Sequence, residues 1–395
     1  MDILLALFLL LRAAAAGTHE EHPNDLGQVW KLAARGIQLE EQGAGTTLPG
    51  ETDKPGDARA PSDPQPDAPG VKGIYVTAYS AGGERMSTLL DLIDKTALNA
   101  MVIDIKDDNG CITYKTDNPE LQKLGTPQNF IKNIGGLMDT LKEHKVYPIA
   151  RIVVFKDTVL AKKHPELSYV KKDGTLWANG KGDSFVNPYR REVWDYNVAI
   201  AKEAAKLGFK EIQFDYVRFP EGFEKKADDL KFTKTADSRV DVVAGFVKYA
   251  QEQLAPLGVR VSVDIFGYAA SVPAAEGIGQ DFVKISSAVN VISPMIYPSH
   301  YSAGWFKQAN PDLAPYATIK GAMDDTHKKL SAIGGDKPLI RPWIQDFTAS
   351  WLGKGHYTKY GAAEVKAQIK ALADSGVTEY LLWNAGNKYT PGVDY

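Results

Sequence analysis

Asp104, Arg151, Asp215, Asp264 and Arg341 lie within short runs of β-branched and aromatic residues: "AMVIDIK" (100–106), "YPIARIVVF" (147–155), "EIQFDYVRF" (211–219), "RVSVDIFG" (260–267) and "LIRPWIQDF" (339–347). Such runs read as buried strands, where an unpaired charge is costly to desolvate. Alternation along a strand sorts each run into two faces. Met101, Ile103 and Ile105 share one face, which leaves Asp104 and Lys106 on the other. The same count puts Gln213 with Asp215, Ser262 with Asp264, and Arg341 with Trp343 and Gln345, each set opposite the apolar face; Arg151 falls there too. Carboxylates that converge from neighbouring strand ends suit hydrolysis of a glycosidic bond. One attacks or orients water, and the other, its proton held by its neighbour's charge, protonates the leaving oxygen. Asp215 and Asp264 are the candidate pair. The plainer alternative is a structural ion network joining these acids to Lys106, Arg151, Arg218 and Arg341.

The elements that must position these residues alternate along the chain. Eight strand-like runs, three more at "GIYVTAYS" (73–80), "NVISPMIYP" (290–298) and "EYLLWNAG" (379–386), are mostly separated by helix-patterned segments such as "REVWDYNVAIAKEAAKLG". Several helices close on Gly just before the next strand. Eight such units in a body running from Val71 to Tyr395 predict a single (β/α)8 TIM barrel, with active-site groups at the C-terminal ends of its strands. A doubly wound sheet is the alternative. It calls for a Gly-rich phosphate turn after the first strand, and "AYSAGGERM" lacks that fingerprint, so its Gly-Gly pair reads as loop flexibility.

Around the carboxylates the inward parity and the adjoining loops add candidate substrate-binding residues: Asp104, Lys106, Arg151, Arg218, Tyr297, His300, Arg341, Trp343, Gln345 and Trp383. An aromatic at a barrel mouth serves as a sugar platform or as a core plug. The seven His are scattered without a metal-ligand spacing, so neither a metal nor another cofactor is expected. No Gly-x-Ser-x-Gly elbow is present. A Schiff-base enzyme would use Lys106 or Lys156, which would leave the carboxylates without a purpose. The long segment from Lys156 to Tyr189 holds six Lys against three Asp and one Glu. It reads as one wall of an open groove for several sugars if its Lys face inward, or as a solvated loop if they do not.

Apolar residues at 44% fit a globular body with a large core, and a net charge of −3 argues against a nucleic-acid partner. The single cysteine, Cys111, excludes an intrachain disulfide framework. Residues 1–17 combine a short apolar run with Ala-Ala-Ala-Ala-Gly, as a secretory signal does, although Asp2 stands where a basic residue belongs. The run is short for a membrane span. Export to the periplasm or the outside is therefore expected, with retention in the cytoplasm if the segment is not a working signal. Residues 18–70, rich in Pro, Gly and Asp, read as a flexible linker with a possible short helix.

At "GIYVTAYSAGGERM", "NAMVIDIKDDNGCITY", "ARIVVFKD", "EIQFDYVRFPEG", "VDIFG", "ISPMIYPSHYSAGWF", "RPWIQDF" and "LLWNAGNKY", taken in order over residues 70–395, the chain resembles a bacterial family of barrels to which glycoside hydrolysis is ascribed. The resemblance implies a (β/α)8 barrel and a carbohydrate-directed role, usually in exported proteins. Asp215 in "FDYVRFP" and Asp264 in "VDIFG" match its motif positions. Two functions follow as expectations: hydrolysis of an envelope or extracellular polysaccharide, or non-catalytic carbohydrate binding on a degenerate barrel.

Overall fold

The computed structural model describes residues 70–395; the expected signal segment, linker and short helix lie outside the described residues. Eight parallel strands close on themselves: β1 (Lys72–Val76), β2 (Ala100–Lys106), β3 (Tyr147–Val153), β4 (Glu211–Asp215), β5 (Arg260–Phe266), β6 (Val291–Met295), β7 (Leu339–Ile340 and Trp343–Gln345) and β8 (Tyr380–Trp383). Each pairs with its sequence neighbour, and β8 pairs with β1 to complete the ring. Closure leaves the barrel ring itself without an edge strand. This is the (β/α)8 barrel that the alternation predicts.

Helices α1 (Arg85–Asp94), α2 (Ile134–Glu143), α3 (Arg191–Leu207), α4 (Arg239–Leu254), α5 (Phe282–Ser286), α6 (Pro315–Ser331) and α7 (Ala362–Ala373) fill the seven connections. Their apolar stripes recur at helical spacing: α3 buries Val193, Tyr196, Ile200, Ala201 and Ala204, and α4 buries Val243, Phe246, Val247, Ala250 and Leu254. These meet the outward strand residues Ile212, Phe214, Val261 and Val263, all fully buried. Phe246 packs edge-on against Phe214, with ring centroids 5.4 Å apart. Ser238 caps α4 by accepting from the Asp241 amide. No helix follows β8 among the described residues; instead residues 384–395 fold back over the mouth. There Asn387 and Tyr389 both donate to the Tyr75 carbonyl, and Thr390 bonds Asp346. No described helix is long and apolar enough to cross a membrane.

The inward face is layered. At the floor, Arg341 spans the barrel from Glu211, at the start of β4 (Nη1 to Oε1 2.7 Å), to Glu379, just before β8 (Nε to Oε2 2.8 Å). One level up, Gln213 donates to Ser293 at 3.3 Å. The carboxylates lie above, at the C-terminal ends.

Candidate active site

Register brings the charged residues together. Asp104 of β2 pairs across from Arg151 of β3, and Arg151 pairs across from Gln213 of β4, two residues below Asp215. A guanidinium at that level reaches sideways to one acid and diagonally upward to the other. Arg151 Nη1 donates to Asp104 Oδ1 at 2.7 Å, and Nη2 donates to Asp215 Oδ2 at 2.6 Å and to Asp108 Oδ1 at 2.7 Å. Arg151, Asp104 and Asp215 are buried, whereas Asp108 is half-exposed in the loop after β2. The second oxygen of Asp104 accepts from the Tyr75 hydroxyl at 2.6 Å. Asp215 Oδ1 accepts from the Tyr216 amide at 2.6 Å, and Tyr216 holds a left-handed φ of 51°.

Asp264 is held differently. Its Oδ1 accepts from the indole N–H of Trp343 at 2.7 Å. Burial, and then the charge of Asp215, push its carboxyl well above the usual carboxylate range, outweighing the Trp343 bond and the more distant Arg151. Asp104 is also raised, to about 7, by burial first, with Arg151 opposing. Tyr297 is buried beside this pair; burial, then Asp264 and Asp215, raise its hydroxyl. Trp383 stacks on Tyr75 at 4.1 Å and meets Trp343 edge-on at 5.4 Å, so three aromatics wall the β7, β8 and β1 side. Arg151 lies 5.4 Å from the centre of the Trp383 ring.

The remaining sequence candidates are placed elsewhere or at the rim. Lys106 does not point into the barrel, contrary to expectation. A β-bulge between Asp104 and Lys106 aligns Lys106 with the outward Ile152 and inverts the parity beyond it. Its fully buried ammonium pairs with Asp157 at 2.7 Å and donates to the Val153 carbonyl at 2.8 Å and to Asn197 of α3 at 3.0 Å. Arg341 has the expected inward parity but lies at the opposite end of the barrel from the carboxylates, in the floor pair described above. Gln345 is fully buried and braces loops: it accepts from the Ser299 amide at 3.1 Å and donates to Asp312 at 2.9 Å. His300 is buried against Tyr297 and Phe347, and burial lowers it to about 3, so it stays neutral. Arg218 pairs with Glu221 at 2.6 Å and lies 4.8 Å from the Tyr216 ring.

Sequence reasoning passed over Tyr75, Asp108 and Tyr216. Tyr75 reads as a core aromatic, and Asp108 sits in "DDNG", which reads as a turn. Of the basic segment, Lys162, Lys171 and Lys172 are exposed, and Lys163 donates to the Gly125 carbonyl at 2.7 Å. Lys156 lies near the carboxylates, 3.9 Å from Asp108 and 3.7 Å from Asp183. Among the described residues no group of three His, Cys, Asp or Glu is arranged to hold a metal ion.

A family model described as "Putative glycosyl hydrolase domain" matches residues 73–389. No curated protein matches the chain. Among solved structures, a hypothetical protein from Ruminiclostridium thermocellum ATCC 27405 is 35% identical, covering 48% of this chain and 96% of its own, with a TM-score of 0.44. A glycoside hydrolase family 20 β-N-acetylglucosaminidase is 12% identical, over 79% of this chain and 64% of its own, with a TM-score of 0.47. The Bacillus megaterium QM B1551 spore cortex-lytic enzyme SleL is 12% identical, over 94% of this chain and 83% of its own, with a TM-score of 0.46.

Proposed function

The chain belongs to the family described as "Putative glycosyl hydrolase domain", and from that premise we propose that it hydrolyses O-glycosidic bonds of a polysaccharide. Asp264 is the general acid and Asp215 the nucleophile or base. The observation that carries this reading is the asymmetry of the pair. Arg151 sits directly on Asp215 with two hydrogen bonds, whereas Asp264 meets a neutral indole N–H and is driven by burial to keep its proton. Two carboxyls in adjacent strands, one ion-paired and one protonated, are the arrangement that acid-assisted glycoside cleavage needs.

In the reaction Asp264 gives its proton to the glycosidic oxygen as the bond to the anomeric carbon breaks. Asp215 either bonds to that carbon, to be displaced later by water, or takes the proton of a water that attacks it. Arg151 fixes Asp215 in place, and the stacked Trp383 and Tyr75, backed by the fully buried Trp343, offer aromatic surface to sugar C–H faces. Export, expected from residues 1–17, would bring the protein to envelope or extracellular glycans and belongs to the same reading.

Digestion of bacterial polysaccharides, read by mass spectrometry, tests it alongside aryl glycosides with acidic phenol leaving groups. Asp215→Asn should lose several orders of magnitude on both substrate types while its melting temperature stays nearly unchanged. Asp264→Asn should lose about 10²- to 10⁴-fold on the polysaccharide, yet far less on the aryl glycosides, which need no proton. Glycan binding without cleavage by the wild type would instead establish the carbohydrate-binding alternative.

A further inference from the structure

The Gly-Gly pair after β1 reads from sequence as a flexible loop, and the structure gives it another task. Residues Ala78–Ala81 form one helical turn capped by Thr77, whose Oγ1 accepts from the Ser80 amide at 3.2 Å. Thr77 is tied in turn to the segment after β8, its amide donating to Asn387 Oδ1 at 3.0 Å. Gly82 lies flush against the strand Pro127–Ile131: a Cβ there would fall 2.0 Å from the Phe130 carbonyl oxygen and 3.1 Å from Ile131 Cα. Only a residue without a side chain permits that approach.

The close approach sets the Tyr79 ring on the Phe130 ring, with centroids 4.5 Å apart and planes tilted by 35°. Tyr79 nevertheless remains 65% exposed, more than any other large apolar or aromatic side chain that stands out from the described surface. One ring face is backed and the other is open. The turn lies at the C-terminal end of β1, on the same mouth as the carboxylates. The Tyr79 hydroxyl is raised by partial burial, then by Asp107 and Cys111, which places it beside the loop after β2. The next residue in that loop, Asp108, is bonded to Arg151. A rigid exposed aromatic has lost side-chain freedom without burying its own surface, and a ligand ring that covers it recovers the difference. A pyranose, with an apolar C–H face and a polar rim, fits a ring whose surroundings are an acidic loop and solvent.

We propose that Tyr79, backed by Phe130, is a sugar-stacking subsite that holds a pyranose unit of the glycan chain away from the bond being cleaved. This rests on the glycosidase reading and extends it to a polymeric substrate lying across the β1 and β2 loops.

The test compares wild type, Tyr79→Ala, Tyr79→Phe and Gly82→Ala on graded-length oligosaccharides from bacterial exopolysaccharides and solubilised peptidoglycan. Affinity electrophoresis against the parent polymers runs in parallel. Tyr79→Ala should raise KM by about 2- to 10-fold on long chains, with kcat and the shortest cleaved substrate unaffected. Tyr79→Phe should behave as wild type, and Gly82→Ala should follow Tyr79→Ala. Cleavage with KM unchanged in Tyr79→Ala at every length overturns the subsite and leaves the hydrolase standing. Retardation by a polymer that Tyr79→Ala abolishes, without cleavage by wild type, keeps the subsite and removes the hydrolase. Neither cleavage nor retardation removes both.

Discussion

Arg151 sets Nε, at 3.0 Å, and Nη2, at 2.6 Å, on the same Oδ2 of Asp215. Its other contacts go to Asp104 and Asp108, so a single guanidinium orders carboxylates from β2, the β2 loop and β4. A planar fork can do this; a lysine ammonium on a flexible stem cannot. Arg151→Lys keeps the charge but frees Asp215 to rotate, and kcat should fall on the order of 10²-fold, as for a misplaced catalytic group, with a smaller change in KM. Arg151→Met strands buried carboxylates and should cost about 3–5 kcal/mol of stability. Steady-state kinetics and thermal unfolding on the same preparations check both. Wild-type kcat in Arg151→Lys would remove Arg151 from the positioning of Asp215.

Two buried groups of the mouth carry opposite pH dependences. Burial raises Asp104 from 3.8 to about 7, so the folded state keeps a proton that the unfolded chain releases. Its contribution to stability is therefore complete below about pH 4 and is lost as pH rises through about 7, at no more than about 1.4 kcal/mol per pH unit. Burial lowers His300 from 6.5 to about 3, so the unfolded chain takes the proton first. That contribution is present above about pH 6.5 and lost as pH falls toward 3. Thermal unfolding of wild type, Asp104→Asn and His300→Gln across this range separates the two. The stability of wild type relative to Asp104→Asn should fall with rising pH, and relative to His300→Gln it should rise. Parallel curves for either pair would mean that the group in question does not titrate between the two states.

The barrel was legible because its signals are local and repeated. Apolar outward sets such as Ile212 with Phe214 and Val261 with Val263 fix both strand type and face, and Gly208, with φ of 107°, ends α3 just before β4. The same parity turned Asp104, Arg151 and Asp215 toward one another and Asp264 toward Trp343, as their hydrogen bonds show. Depth and irregularity escaped it. Arg341 has the right face, but parity alone does not say which end of the barrel a residue occupies. Lys106 sits past a bulge, which adds a residue without any marking in the sequence. Tyr75 joins the carboxylate cluster through a hydroxyl whose partner, Asp104, is 29 residues away in the chain. None of these depends on residue type alone; each depends on the register between strands.

Lys106 gives the sharpest separation of structure from chemistry. Its ammonium and the Asp157 carboxylate are both fully buried and 2.7 Å apart, under the loop that follows β3. Asp157 also caps the helical turn Thr158–Lys163, accepting from the Leu160 amide at 2.7 Å. Lys106→Met would strip that carboxylate of its counter-ion in a dry site where burial already raises it, so stability should drop by about 3–5 kcal/mol. The double variant Lys106→Met with Asp157→Asn removes the stranded charge while keeping a group able to cap the turn, and it should recover part of the loss. Since the ammonium faces Asn197 and the β3 carbonyls rather than the carboxylates, KM and kcat of the folded single variant should match wild type. Urea titration and kinetics at low temperature measure the two separately. A raised KM with unchanged stability would put Lys106 back among the sugar-binding residues and require a conformation in which the bulge after Asp104 is absent.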